Sequence, residues 1–211
     1  MNRRSKAIFI NIVLIILEII GIIMGFIEGG VPVFKYYTQE SNILCLISSI
    51  IVLFYLIKNK KYSKSVSLFR YISVVCLTIT CLVVIFVLAP MYNFDYYWLL
   101  YRNSSLYLHL LCPLLSIISF LLFEDHNLKD KYDSIRGLYY TIFYAIVAIL
   151  LNIIGLLEGP YPFLMIRKNG VIQSIIWLII MIGISYLISF GLLKIKNKIG
   201  AKKWKRYYFG C

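Results

Sequence analysis

The chain has 211 residues, 61% of them hydrophobic and only 15% charged, with a formal net charge of +13 and a mean hydropathy of +0.84. A soluble domain of this size needs a polar surface and is about a quarter charged, so this composition excludes an ordinary soluble fold and points to a lipid solvent. Lys and Arg lie in short clusters between apolar runs and not along one aromatic-interleaved face, which argues against nucleic acid as a partner.

A helix crossing the hydrocarbon needs about 20 apolar residues. Six runs approach that length, at 7–28, 40–58, 71–90, 106–123, 136–156 and 172–193. They are too long and too non-alternating for strands, and only helices or closed barrels satisfy their backbone in lipid. The expected fold is therefore all-α, a single polytopic bundle over residues 1–211 with six transmembrane helices. The first run carries no small-residue cleavage site and reads as a retained helix. Its mid-membrane Glu18 shares a face with Asn11, Gly21, Gly25 and Glu28. A charged carboxylate there costs about 2.5–3.5 kcal/mol on the lenient scale. With no Lys or Arg expected at that depth, Glu18 reads as protonated or facing a wet cavity.

The second run opens on five polar residues, Thr38, Gln39, Glu40, Ser41 and Asn42. Thr38, Asn42, Cys45 and Ser49 recur at spacing 4, 3, 4, one side of a helix. The fourth run repeats that spacing with Ser105, His109, Cys112 and Ser116, 67 residues on, as in a parallel internal repeat. Small polar stripes also line ordinary helix–helix seams, and Thr38 suits a helix N-cap, so packing is the favoured reading of the stripes as a whole. His109 precedes Pro113 by four residues. Proline cannot donate to the carbonyl four residues back, so a kink is expected at the histidine, with the His109 carbonyl freed. The fifth run holds Asn152 in its outer half. The loop after it, with Tyr161, Pro162 and Phe163, reads as an interfacial anchor or the cap of a cavity mouth. The five cysteines form no CxxC pair, and with two histidines no metal site or other cofactor is expected.

Orientation follows from the cations. Arg3, Arg4 and Lys6; Lys58, Lys60, Lys61, Lys64 and Arg70; Lys129, Lys131 and Arg136; and Lys194, Lys196, Lys198, Lys202, Lys203, Lys205 and Arg206 all fall on one side of the expected bundle. Lys35, Arg102, Arg167 and Lys168 fall on the other. The positive-inside rule then puts both termini in the cytoplasm and Thr38 and His109 at a shared outer depth. Anionic-lipid attraction is a secondary role for the clusters.

Thr38-x-x-Ser41-Asn42, His109-x-x-x-Pro113 and Tyr161-Pro162-Phe163, in that order across nearly the whole chain, resemble the androgen-induced-gene and androgen-dependent TFPI-regulating protein family, the bacterial six-helix relatives more than the animal enzymes. The resemblance implies an intramembrane threonine hydrolase acting on fatty-acyl esters, with Thr38 as nucleophile and His109 as base. In the animal motif the Thr and the next polar residue stand closer together than Thr38 and Asn42. Thr hydroxyls need such a base, and a near-neutral His supplies one. Asn42, aided by Ser41 and Asn152, is the expected oxyanion or orienting group, with Glu18, Tyr161, Pro162 and Phe163 as cavity lining or lid. The partners implied are membrane lipids and a lipid-ester or other amphipathic small molecule. Two other classes stay open: a small-solute transporter or its substrate-binding subunit, for which Glu18 is the best feature, and a non-catalytic scaffold. The abundance of Ile, Lys, Asn and Tyr fits an AT-rich bacterial genome and hence a bacterial cell membrane.

Fusion reporters joined after Asn93 and Asn169 are expected to read outside, and one after Tyr62 inside. A cytoplasmic reading at Asn169 contradicts this topology.

Overall fold

The computed structural model describes residues 2–128 and 131–209, the side chains of residue 162 and of 201–209 excepted. Lys129 and Cys211 therefore lie outside the described residues, as do the side chains of Pro162, Lys202, Lys203, Lys205 and Arg206. Six helices are long and apolar enough to cross a membrane: α1 Arg3–Gly29, α2 Tyr37–Ile57, α3 Lys64–Met91, α4 Leu106–Phe123, α5 Lys131–Ile153 and α6 Val171–Gly200. No strand occurs among the described residues. The chain is thus an all-helical, multi-pass bundle.

Local chemistry sets several boundaries. The Asn2 side chain caps α1 by accepting the Ser5 N–H at 2.8 Å, and Ser63 caps α3 by accepting that of Val66 at 3.2 Å. Thr38 is not the cap of α2. That helix starts at Tyr37 after an extended Tyr36, so Thr38 stands inside the first turn.

The bundle is sorted for lipid. On α1, Ala7, Asn11, Leu14, Glu18, Gly21 and Gly25 are buried, while Ile12, Ile16, Ile19, Ile23 and Ile27 face outward. Small residues let the backbones close up. A Cβ at Gly21 would stand 2.8 Å from Leu108 and Tyr107 of α4, and one at Gly25 would stand 2.1 Å from the Gln39 amide nitrogen of α2. Helix α3 is the most enclosed span and packs against α2, α4, α5 and α6.

Two charges counted in the sequence as signals of topology belong to the interior. Arg70 lies within α3 and is 1% exposed. Its guanidinium grips Glu124, fully buried just beyond α4, through Nε–Oε2 at 3.0 Å and Nη2–Oε1 at 2.9 Å. Its Nη1 donates to Ser48, Ser49 and Cys45 of α2. Glu124 also accepts from Ser119 at 2.6 Å and from Asn11 at 3.3 Å. Lys196 of α6 is likewise buried and donates to the Phe120, Leu121 and Glu124 carbonyls, while Arg3 donates to those of Leu122 and Glu124. These are carbonyls a helix end leaves without N–H partners, and cations suit that end of its dipole.

The Glu124 carboxyl sits below its ordinary pKa of 4.5. Burial alone would raise it, but the Arg70 charge together with hydrogen bonds from Arg70, Ser119 and Asn11 outweighs burial. A depressed carboxyl stabilises the fold fully above its unfolded pKa and loses that contribution as pH falls through the folded value. The pair therefore holds at neutral pH and weakens only below about pH 4.5. Removing one buried partner strands the other charge at about 3–5 kcal/mol, whereas replacing both with apolar groups is near neutral. Arg70→Met alone is expected to lower the thermal unfolding midpoint in detergent micelles sharply, and Arg70→Met with Glu124→Leu to recover most of the loss. Equal midpoints for the single and double variants contradict this.

Candidate active site

Helix α4 opens as a π-helix over Leu106–Leu111, and the Cys112 N–H bonds the Tyr107 carbonyl five residues back. Pro113 follows at once. In that wider register Pro113 brings no N–H to the carbonyl five residues back, that of Leu108. Asn42 supplies the missing donor: its Nδ2 gives one hydrogen bond to Leu108 O at 3.2 Å and another to Thr38 O at 2.7 Å. Helix α3 repeats the device, with a π turn over Val84–Leu88 just before Pro90. The wide turn makes room for the pyrrolidine ring.

This brace sets Thr38 and His109 on the walls of one cavity of about 630 Å³. Gly25, Glu28, Gln39, Arg102, Ser104 and Tyr161 also line it, and Tyr92 stacks on Trp98 at its edge with ring centroids 5.9 Å apart. The imidazole is oriented by Nδ1, 2.6 Å from Leu99 O. A carbonyl only accepts, so Nδ1 carries the hydrogen, and in the neutral ring Nε2 keeps its lone pair. No hydrogen bond joins Thr38 to His109 among the described residues; what they share is the cavity.

Tyr161 holds the other side of Thr38. Its hydroxyl accepts the Thr38 N–H at 3.4 Å and lies beside the Thr38 hydroxyl. Burial pushes this phenol up to about 12, so it stays protonated at neutral pH. Its ring stacks on Phe163, centroids 5.3 Å apart and planes nearly parallel, and Phe163 in turn packs against Trp177. Thr38 and Tyr161 also border a narrow apolar slot of about 70 Å³, lined by Ile79, Val83, Phe163 and Met181 among others. A cavity edged by Glu28, Arg102, Ser104 and His109 and an apolar slot thus meet at Thr38 and Tyr161.

Other expectations need correction. Asn42 is fully buried and both amide hydrogens are committed to carbonyls, so it braces α2 to α4 and does not donate into the cavity. Ser41 is buried against α3, bonding Thr38 O and Thr80 Oγ1. Asn152 is absent from this cavity. Its Nδ2 donates to Leu157 O and its Oδ1 accepts the Arg167 N–H, so it staples its own loop and lines a separate cavity. Glu18 lies beneath the site and not in its lining, because Gly25 is the α1 residue at that level. Its carboxyl oxygens have no hydrogen-bond partner among the described residues and sit beside the Cys45 and Cys112 thiols. A cation does approach that depth, since Arg70 reaches Cys45, but it is already bound to Glu124. The inner parts of the two stripes are a packing seam: Cys45 bonds both Ser116 and Ser49.

Gln39 and Glu28 were missed as lining residues. Gln39 belongs to the polar opening of α2 but stands about 100° off the Thr38–Asn42 stripe, so spacing did not pick it out. Glu28 accepts from Ser104 N and Oγ at 3.1 and 2.7 Å, a pairing 76 residues apart with no local mark. Among the described residues no group of three His, Cys, Asp or Glu is arranged to hold a metal ion. No family model, no curated protein and no solved structure matches the chain.

Asn42→Ala removes the only side-chain donor shown for Leu108 O, while Thr38 O keeps Ser41. An unsatisfied buried acceptor costs about 1–3 kcal/mol. Asn42→Ala is expected to lower the unfolding midpoint in micelles accordingly, and Asn42→Leu, which fills the space, to do no better. A wild-type midpoint for both sinks the brace.

Proposed function

We propose that the chain is a membrane-embedded hydrolase of long-chain acyl esters, with Thr38 as nucleophile and His109 as general base. The observation that carries this reading is the meeting, at Thr38, of a mixed polar and apolar cavity and an apolar slot, with His109 on the wall of the same cavity. An amphipathic ester needs both environments: an apolar surface for the carbons next to its carbonyl and a hydrogen-bonding space for its head and for water. The resemblance to the androgen-induced-gene family points the same way.

The chemistry runs on the chain's own groups. His109 Nε2 takes the Thr38 hydroxyl proton as Oγ1 adds to the ester carbonyl carbon, and the carbonyl π pair moves onto oxygen. Collapse of the tetrahedral species expels the alkoxide, which leaves as alcohol with the proton from His109. Water then repeats the sequence on the acyl-threonine, releasing the fatty acid and restoring both residues. The Leu99 carbonyl holds the ring by Nδ1 and stabilises the imidazolium formed in each half. That no hydrogen bond joins Thr38 to His109 among the described residues does not count against the pair, since catalytic hydrogen bonds tighten when substrate fills the site.

Purified protein in detergent is expected to hydrolyse a long-chain p-nitrophenyl ester. Thr38→Ala and His109→Ala should each remove nearly all turnover, and the double variant should lose little more, because the two act as a unit. Additive losses, or full activity in Thr38→Ala with an unchanged unfolding midpoint, contradict the assignment.

A further inference from the structure

The proposed reaction places negative charge on the former carbonyl oxygen, and something must donate to it. The first turn of α2 offers no spare backbone group for this: the N–H groups of Gln39 and Glu40 go to Tyr36 O at 3.0 and 3.3 Å, and that of Thr38 goes to the Tyr161 hydroxyl. Asn42 has given both amide hydrogens away. Gln39 has not. Its side chain is nine-tenths buried, its Oε1 has no partner among the described residues, and none of them hydrogen-bonds its Nε2. It lines the same cavity as Thr38 and His109. Gly25 makes its position possible, since a Cβ there would stand 2.1 Å from Nε2.

The Nε2 hydrogens of this amide, which meet no acceptor among the described residues, are completed by a ligand oxygen that accepts one. We infer that Gln39 is the oxyanion-binding residue of this site, donating its Nε2–H to the substrate's carbonyl oxygen as Thr38 adds. This deepens the hydrolase reading and rests on it. As Oγ1 bonds to carbon, the π pair settles on the oxygen held by Gln39; as the alcohol leaves, the pair returns and the carbonyl re-forms. A donor aimed at developing charge binds the tetrahedral state more tightly than the ester, so its loss lowers kcat more than it raises KM. Tyr161, whose hydroxyl also borders the cavity, is the competing donor.

The test compares wild type with Gln39→Leu, Gly25→Ala and Tyr161→Phe, each matched for unfolding midpoint, in hydrolysis of a long-chain p-nitrophenyl ester and in inactivation by a long-chain alkyl phosphonate. Gln39→Leu is expected to lose about 10²–10³-fold in kcat with little change in KM. Phosphonate inactivation should slow in parallel, because that adduct is tetrahedral. Gly25→Ala, which displaces the amide without altering it, should share the pattern. A Gln39→Leu enzyme with near wild-type kcat overturns the inference and leaves the hydrolase reading standing. So does a loss that falls on Tyr161→Phe instead. A folded wild type that neither turns over the ester nor reacts with the phosphonate overturns the hydrolase reading and this inference with it.

Discussion

A proline inside a lipid-solvated helix creates an acceptor that lipid cannot satisfy, and the arrangement of the Thr38 end of the bundle follows from how that acceptor is met. Pro113 brings no N–H; the π turn before it leaves the Leu108 carbonyl without that donor, and Asn42 reaches across from α2 to supply one. One amide therefore joins two helices and, through its second hydrogen bond, fixes the Thr38 backbone. His109, inside the π turn, is presented to the cavity while Leu99 holds its ring. Gly21 lets α1 close against Leu108 and Tyr107, which keeps the π segment packed on its other side. The geometry that brings Thr38 and His109 to one cavity is thus a repair of missing backbone hydrogen bonds.

At the basic end the same solvent rule takes an ionic form. Arg70 and Glu124 are buried as a two-pronged pair whose remaining hydrogen-bonding capacity goes to Ser48, Ser49, Ser119 and Asn11. Four helices contribute to this cluster or lead into it, so it fixes the register of α1, α2, α3 and α4 far from the cavity. Its magnitude argues for specificity more than for raw stability, since an apolar replacement of both partners costs little while loss of one costs much. Between the two ends lies Glu18, flanked by thiols and with no described hydrogen-bond partner.

Much of the fold was legible because hydropathy and span length are local properties: all six helices stand where the apolar runs lie, with ends differing by up to seven residues. The site was legible in part. Thr38 and His109 could be read from shared depth and helical spacing, and Tyr161 from its place in an aromatic loop, and they do line one cavity. What failed were pairings set by tertiary structure. Arg70 looks like one more loop cation until Glu124, 54 residues later, is folded against it. Asn152 sits at a suitable depth, but its amide is consumed by the loop that follows it. Gln39 lies off the polar stripe, and only the contact with Gly25 reveals which way its amide is held.

The central claim is that Thr38 is a nucleophile and His109 its base. The most direct measurement is labelling of the purified protein with a long-chain acyl phosphonate, followed by peptide mapping of the adduct. The account predicts a single adduct on Thr38 that is absent in His109→Ala while that variant remains folded. An adduct on another residue, or one on Thr38 that persists at the same rate without His109, would contradict it.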